Sequence, residues 1–134
     1  MLVRSLRAVQ ARVEARLADA VAATGMTLPE WWVLSGLAET PGRPTSEVAG
    51  YAMLPGPTFT KVVDGMVDRN EVYRRNDAAD RRRLLLYPTV RGLQRHAEVR
   101  ALVDAAEEEL AGLVGRDALD ALHDALAVLG GRLD

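Results

Sequence analysis

Val72-Tyr-Arg-Arg-Asn-Asp-Ala-Ala-Asp-Arg-Arg-Arg-Leu-Leu-Leu-Tyr-Pro-Thr89 is the stretch on which the reading of this chain turns. Val72 and Tyr73 start a short strand. Asn76, Asp77, Ala78, Ala79 and Asp80 form a polar, turn-prone run. Arg82 to Tyr87 reads as a second strand, stopped by Pro88. Two strand-like runs joined by about five polar residues predict a β-hairpin with an open loop. The hairpin carries Arg74, Arg75, Arg81, Arg82 and Arg83, and the rest of the chain reads as helix. Two strands alone are only marginally stable in water, so this one must lean on the helices around it.

Working outward, the charge pattern singles out the same region. The chain of 134 residues carries a formal net charge of −2. Residues 61–95 hold nine basic and five acidic groups, whereas residues 101–134 hold two basic and eight acidic ones. A positive middle and a negative C-terminal end suit a surface that meets an anionic polymer on one side only. An ordinary solvated surface is the alternative. The chain has no Cys, which excludes disulfides and thiolate metal sites. No apolar run approaches the roughly 18 residues of a membrane span, and no signal-peptide pattern is visible. A soluble, cytoplasmic protein of one domain is expected, without membrane contact, metal or cofactor.

Leu2, Leu6, Val9, Val13, Leu17 and Val21 recur at spacings of three and four, which predicts an amphipathic helix over 2–23 ended by Gly25. Thr27-Leu-Pro-Glu30 has the form of a capping box and opens a second helix with Trp31, Leu34 and Leu37 inward. Thr40 to Pro44 reads as loop. Thr45 is placed to cap a short helix over 46–53. A turn at Pro55-Gly56-Pro57 leads into a helix over 58–69, with Phe59, Val62, Val63, Met66 and Val67 facing the core. Its other face shows Thr58, Lys61, Asp64, Gly65 and Asp68. Two short helices joined by a tight turn make a helix-turn-helix candidate, and the hairpin would be its wing. After the hairpin, Thr89 caps a long helix over 90–113, with Leu93, Ala97, Leu102, Ala106, Leu110 and Leu113 on a stripe. Gly115 breaks it. The last helix spans 117–129 and ends at Gly130-Gly131. The terminal helices carry more apolar stripe than a small core can cover, which points to a second copy of the chain.

The order of these elements, with Thr27-Leu-Pro-Glu-Trp31, Thr58-Phe-Thr-Lys-Val-Val-Asp64, Asp77-Ala-Ala-Asp-Arg-Arg82 and Leu86-Tyr-Pro-Thr-Val-Arg-Gly92, resembles the MarR family of bacterial transcriptional regulators over essentially the whole chain. The resemblance implies a mainly α fold with one β-hairpin: a winged helix-turn-helix over 27–89, flanked by dimerisation helices over 1–24 and 90–134. It implies a homodimer on double-stranded DNA, with a palindromic operator, a repressor role, and release by a small aromatic or anionic effector. Carried over residue by residue, Thr58, Thr60 and Lys61 would reach phosphates or base edges, and Arg81 and Arg82 would enter the minor groove, where a narrow groove concentrates negative potential. Asp80 would orient one of these arginines, and Asp77 would shape the loop. The effector would lie between the first two helices and the long fifth helix, near Trp32 and His96. Pro57 stands where the family often has Ser, Gly65 where it often has a basic residue, and Glu71 where it usually has an apolar one. The recognition face is therefore poor in donors, which shifts the expected weight of binding onto the wing.

The rival reading is a winged helix that binds an acidic protein without specific DNA binding. An enzyme is not expected. His96 and His123 are the only histidines, neither has metal-ligand spacing to a carboxylate, and no Gly-rich phosphate loop exists. Core packing is the plain alternative for Trp31 and Trp32, a solvated helix face for Glu107-Glu108-Glu109, and solubilising charge on an exposed strand for the wing arginines.

Overall fold

The structure, a computed structural model, describes residues 1–134. Helix α1 spans Leu2–Val21 and is followed by a 3₁₀ turn, Ala22–Thr24. Gly25 takes the left-handed conformation (φ 78°) that ends this segment, as the sequence predicted. Helix α2 spans Leu28–Glu39. Its capping box is complete: Glu30 N–H donates to Thr27 Oγ1 and Thr27 N–H donates to Glu30 Oε1. Strand β1 (Arg43–Pro44), α3 (Thr45–Ala52), α4 (Gly56–Asp68), β2 (Val72–Asn76), β3 (Leu84–Pro88), α5 (Val90–Val114) and α6 (Arg116–Arg132) complete the chain.

The hairpin is present, with Tyr73 opposite Tyr87 and Asn76 opposite Leu84. It is not alone, however. Arg43 and Pro44, expected in a loop, pair with Leu86 and Leu85 and make a three-stranded antiparallel sheet in the order β1-β3-β2. Two residues carry no legible alternation, and a strand this short exists only because β3 offers it partners. The second hairpin strand starts at Leu84 rather than Arg82, since the turn uses Arg82 and Arg83. Thr45 does not cap α3. It is the first helical residue, and Pro44 holds the cap position without a side-chain bond. Pro55 likewise precedes α4, so Gly56 and Pro57 begin that helix rather than form a separate turn. Gly130-Gly131 does not end α6, which continues to Arg132.

The core joins Leu17 and Val21 of α1, Val33, Leu34 and Leu37 of α2, Val48 and Ala52 of α3, and Phe59, Val63 and Met66 of α4. Val72 and Leu86 from the sheet and Val99 and Val103 of α5 close it. On α5 the buried side runs through Gly92, His96, Val99 and Val103. Leu93, Leu102 and Leu113, expected on the inward stripe, are exposed. The rotation follows from where α5 begins. Thr89 N–H donates to the Glu71 carbonyl at 3.0 Å, the Thr89 hydroxyl donates to the Asn70 carbonyl at 2.7 Å, and Gly92 N–H donates to Thr89 Oγ1 at 2.9 Å. These bonds seat the first turn of α5 on the corner between α4 and β2.

That corner leaves no room at Gly92. A Cβ there would lie 2.0 Å from the Glu71 carbonyl oxygen. Gly92→Ala is therefore expected to push α5 off the corner and lower stability by about 2 kcal/mol or more, read from urea unfolding. Thr27→Ala, which removes one cap, should cost about 1 kcal/mol in the same assay. A cost at Gly92 no larger than at Thr27 would contradict this packing.

Candidate nucleic-acid interface

Helix α4 buries Phe59, Val63 and Met66 and leaves Thr58, Thr60 and Lys61 exposed on its first turns. The Thr60 hydroxyl donates back to the Gly56 carbonyl at 3.1 Å, which leaves its oxygen lone pairs outward. Lys61 has no ionic partner. Asp64 pairs with Arg74 of β2. That contact ties the helix to the sheet and cancels a carboxylate that phosphates would repel.

The tip of the hairpin is held by its own polar groups. Asp77 Oδ1 accepts from Ala79 N–H at 2.9 Å, and Asp80 Oδ1 accepts from Arg82 N–H at 3.1 Å. Asn76 Nδ2 donates to the Arg81 carbonyl at 3.0 Å. Arg83 N–H donates to the Asp80 carbonyl and Asp77 N–H to the Arg83 carbonyl, both at 2.9 Å. Asp80 thus holds a backbone amide rather than a guanidinium, as Asx turns do. The side chains of Arg81 and Arg82 are left exposed and make no hydrogen bond or ion pair within the protein. Arg83 lies 3.9 Å from Glu47 of α3. Below the tip, Tyr73 and Tyr87 stack across the strands at 5.3 Å and stiffen them. The two groups of candidate residues therefore stand on two braced elements, joined through the Arg74–Asp64 contact.

At the root of the hairpin lies a buried ionic cluster that the sequence did not announce. Glu71 is 1% exposed. It accepts from Arg69 Nε at 2.8 Å and from Arg95 Nε at 2.9 Å. Arg69 also pairs with Glu30, and Arg95 Nη2 donates to the Thr24 carbonyl at 2.9 Å. An acid flanked by Asn70 and Val72, at a place that resembles an apolar family position, was the available signal. Its partners are 2 and 24 residues away, and no spacing rule reaches the second.

The candidate effector residues separate. His96 lines a cavity of about 320 Å³ with Trp31, Ser35, Tyr51 and Arg100, between α2, α3 and α5. Trp32 lies elsewhere, in a groove of about 650 Å³ between α1 and α2. The tryptophan beside His96 is Trp31, stacked on the imidazole at 5.2 Å, with its Nε1–H donated to the His96 carbonyl at 3.3 Å. Ser35 Oγ lies 2.9 Å from His96 Nε2 and donates its proton to the Trp31 carbonyl at 2.8 Å. A hydroxyl has one proton, so with that proton on the carbonyl Nε2 is the donor toward Ser35. In that arrangement His96 is not a base toward Ser35, and the contact joins α2 to α5.

Burial first, and the Arg100 guanidinium second, push the His96 imidazole below its ordinary range. The unfolded chain therefore binds a proton before the folded one as pH falls. Stability relative to a His96→Phe variant should be constant above neutrality. It should decline once the pH drops below about 6.5 and level off when the folded imidazole also protonates. Urea unfolding of both proteins at pH 7.5 and 5.5 tests this, and an unchanged difference would count against the buried neutral ring.

With this geometry in hand, the comparisons are specific. A model of the MarR family matches residues 24–83. No curated protein matches the sequence with significance. The chain is 31% identical to the transcriptional repressor CouR, solved bound to a 23-mer DNA duplex, with a TM-score of 0.89 over 97% of this chain and 92% of that one. It is 25% identical to a MarR family regulator from Rhodococcus sp. RHA1, with a TM-score of 0.85 over 92% of this chain and 88% of that one. It is also 25% identical to a Mycobacterium tuberculosis MarR family protein in complex with p-aminosalicylic acid, with a TM-score of 0.81 over 97% and 98% of the two chains. The winged helix built from α2, α3, α4 and the sheet is the fold these regulators share, and the chain belongs to the MarR family of transcriptional regulators.

Proposed function

We propose that this protein is an effector-responsive repressor that binds a palindromic operator as a homodimer in the cytoplasm. One observation carries the reading: Arg81 and Arg82 stand without protein partners on a tip that ties itself together, beside the exposed first turns of α4. Arginine in a narrow minor groove meets enhanced negative potential, and a tip ordered before binding gives up little entropy on docking. Thr58, Thr60 and Lys61 would face the major groove, with hydroxyls and an ammonium that suit phosphates and base edges alike. Asp77 and Asp80 support the wing through its backbone.

Residues 27–89 form the winged helix in this reading, and residues 1–24 and 90–134 the dimerisation helices. Helix α6 buries no residue within its own chain, and Leu122, Leu126 and Leu129 stay exposed along it. Leu2, Val3 and Val9 are exposed on α1. Apolar faces at both ends of one chain fit an isologous interface, which also matches the two-fold symmetry of a palindrome. The effector would be small and aromatic or anionic, bound in the cavity beside Trp31 and His96, and the p-aminosalicylic acid complex of the mycobacterial relative supports an effector of that class.

Fluorescence anisotropy with the intergenic duplex next to the protein's own gene, and a scrambled duplex as control, tests the reading at two salt concentrations. Sequence-dependent binding that weakens as salt rises is the expected result, since neutralised phosphates release counterions. Arg82→Ala should weaken operator binding by about tenfold, roughly 1.4 kcal/mol. Affinity within about twofold of the parent would remove the wing from the mechanism. Equal, weak binding to both duplexes would leave the winged helix as a protein-binding module.

A further inference from the structure

The ionic cluster at Glu71 and the cavity at His96 use neighbouring residues of the same two helices. On α2, Glu30 pairs with Arg69 while Trp31 walls the cavity. On α5, Arg95 donates to Glu71 while His96 stacks on Trp31. Arg69 is the residue that ends α4, and Glu71 is the residue before β2. A continuous chain of charged side chains, Glu30–Arg69–Glu71–Arg95, therefore runs from α2, one residue before Trp31, past the end of α4 and the root of the wing, to α5, one residue before His96.

We propose that Glu71, with Arg69 and Arg95, is the joint that couples the Trp31–His96 cavity to α4 and the wing. Glu71 is a positioning residue in this scheme and does not touch DNA. A carboxylate 1% exposed cannot be left without its guanidinium, because an unpaired buried charge is far less stable than a paired one. When α5 and α2 shift, Glu71 must follow Arg95, and Arg69 must follow Glu71 and Glu30. Charge-assisted hydrogen bonds are short and directional, so a small displacement breaks or exchanges them rather than stretching them. Glu30 is held on its other oxygen by the Thr27 amide, and Arg95 by the Thr24 carbonyl, so neither end of the chain can slide freely.

This inference rests on the reading of α4 and the wing as the DNA-binding elements. Coupling is reciprocal, so no effector is needed to test it: operator binding must disturb the cavity through the same joint. Trp32→Phe leaves Trp31 as the one tryptophan of the chain. In that background the operator duplex is titrated, with anisotropy reporting binding and Trp31 emission reporting the cavity. The comparison protein adds Glu71→Leu and Arg95→Leu. Apolar replacement of a buried ion pair tends to keep the fold, and Arg69 retains Glu30.

The expected result is an emission change that follows binding in the parent. The double variant should bind about tenfold more weakly, within the usual range of allosteric coupling, and at saturating DNA show less than about a third of the emission change. Arg95→Met, in which Glu71 keeps Arg69, carries the same comparison if the double variant fails to fold by circular dichroism or to bind. A full emission change in the variants would overturn the joint, as would a parent that binds with no emission change. A parent that does not bind at all removes the DNA-binding reading and the joint with it, and the anisotropy curve separates that outcome from the other two.

Discussion

The carboxylate of Glu71 is taken out of water at the point where α4, the sheet and α5 meet, and it has to be answered there. Desolvating a carboxylate costs several kcal/mol even in a relaxed protein, and the cost is recovered only where full hydrogen bonding and opposite charge surround it. Arg69 and Arg95 each supply a guanidinium N–H to one of its oxygens. Its own main-chain carbonyl takes the Thr89 amide, and Gly92 lets α5 come close enough for that bond. Once these demands are met, the start of α5, the end of α4 and the root of the wing have a single relative placement. The direction of α5, and hence of the apolar faces that follow it, is set at this corner.

The surface that faces DNA in the proposed reading is built unevenly. The wing tip is ordered by backbone-directed bonds from Asp77, Asp80 and Asn76, and its two arginines remain free. Helix α4 offers two hydroxyls and one ammonium, and part of its negative charge is taken up by Arg74. In that reading, a protein arranged in this way would read the duplex more through groove width than through base edges, because groove width acts on charge and needs no complementary donor pattern. Such an interface gains affinity from preorganisation rather than from many contacts.

The cavity beside His96 shows how one element serves two ends. Trp31 belongs partly to the core and partly to the cavity wall, and the residue before it caps α2 and reaches Arg69. Burial lowers the His96 imidazole below its ordinary range, its Nε2 lies within hydrogen-bond distance of Ser35, and the ring stacks on Trp31. The site is thus walled by groups already committed to the structure.

Much of this was legible from residues alone, because local physics decided it. The hairpin, the Thr27–Glu30 capping box, Thr89 as the cap of α5 and Gly25 and Gly115 as breaks all depend on residues within a few positions of each other. The family resemblance carried by residues 77–82 and 89–92 comes from the same local chemistry. What the sequence could not decide were the contacts between distant segments. Strand β1 exists only because β3 lies beside it. The buried face of α5 was misjudged because the corner at Glu71 rotates the helix away from its most apolar stripe. Trp31 rather than Trp32 meets His96 because two adjacent positions on a helix point about 100° apart, and only the packing of α2 against α5 chooses between them. The pairing of Glu71 with Arg95 joins residues far apart in the chain, and a buried charge finds its partner through the fold rather than through spacing.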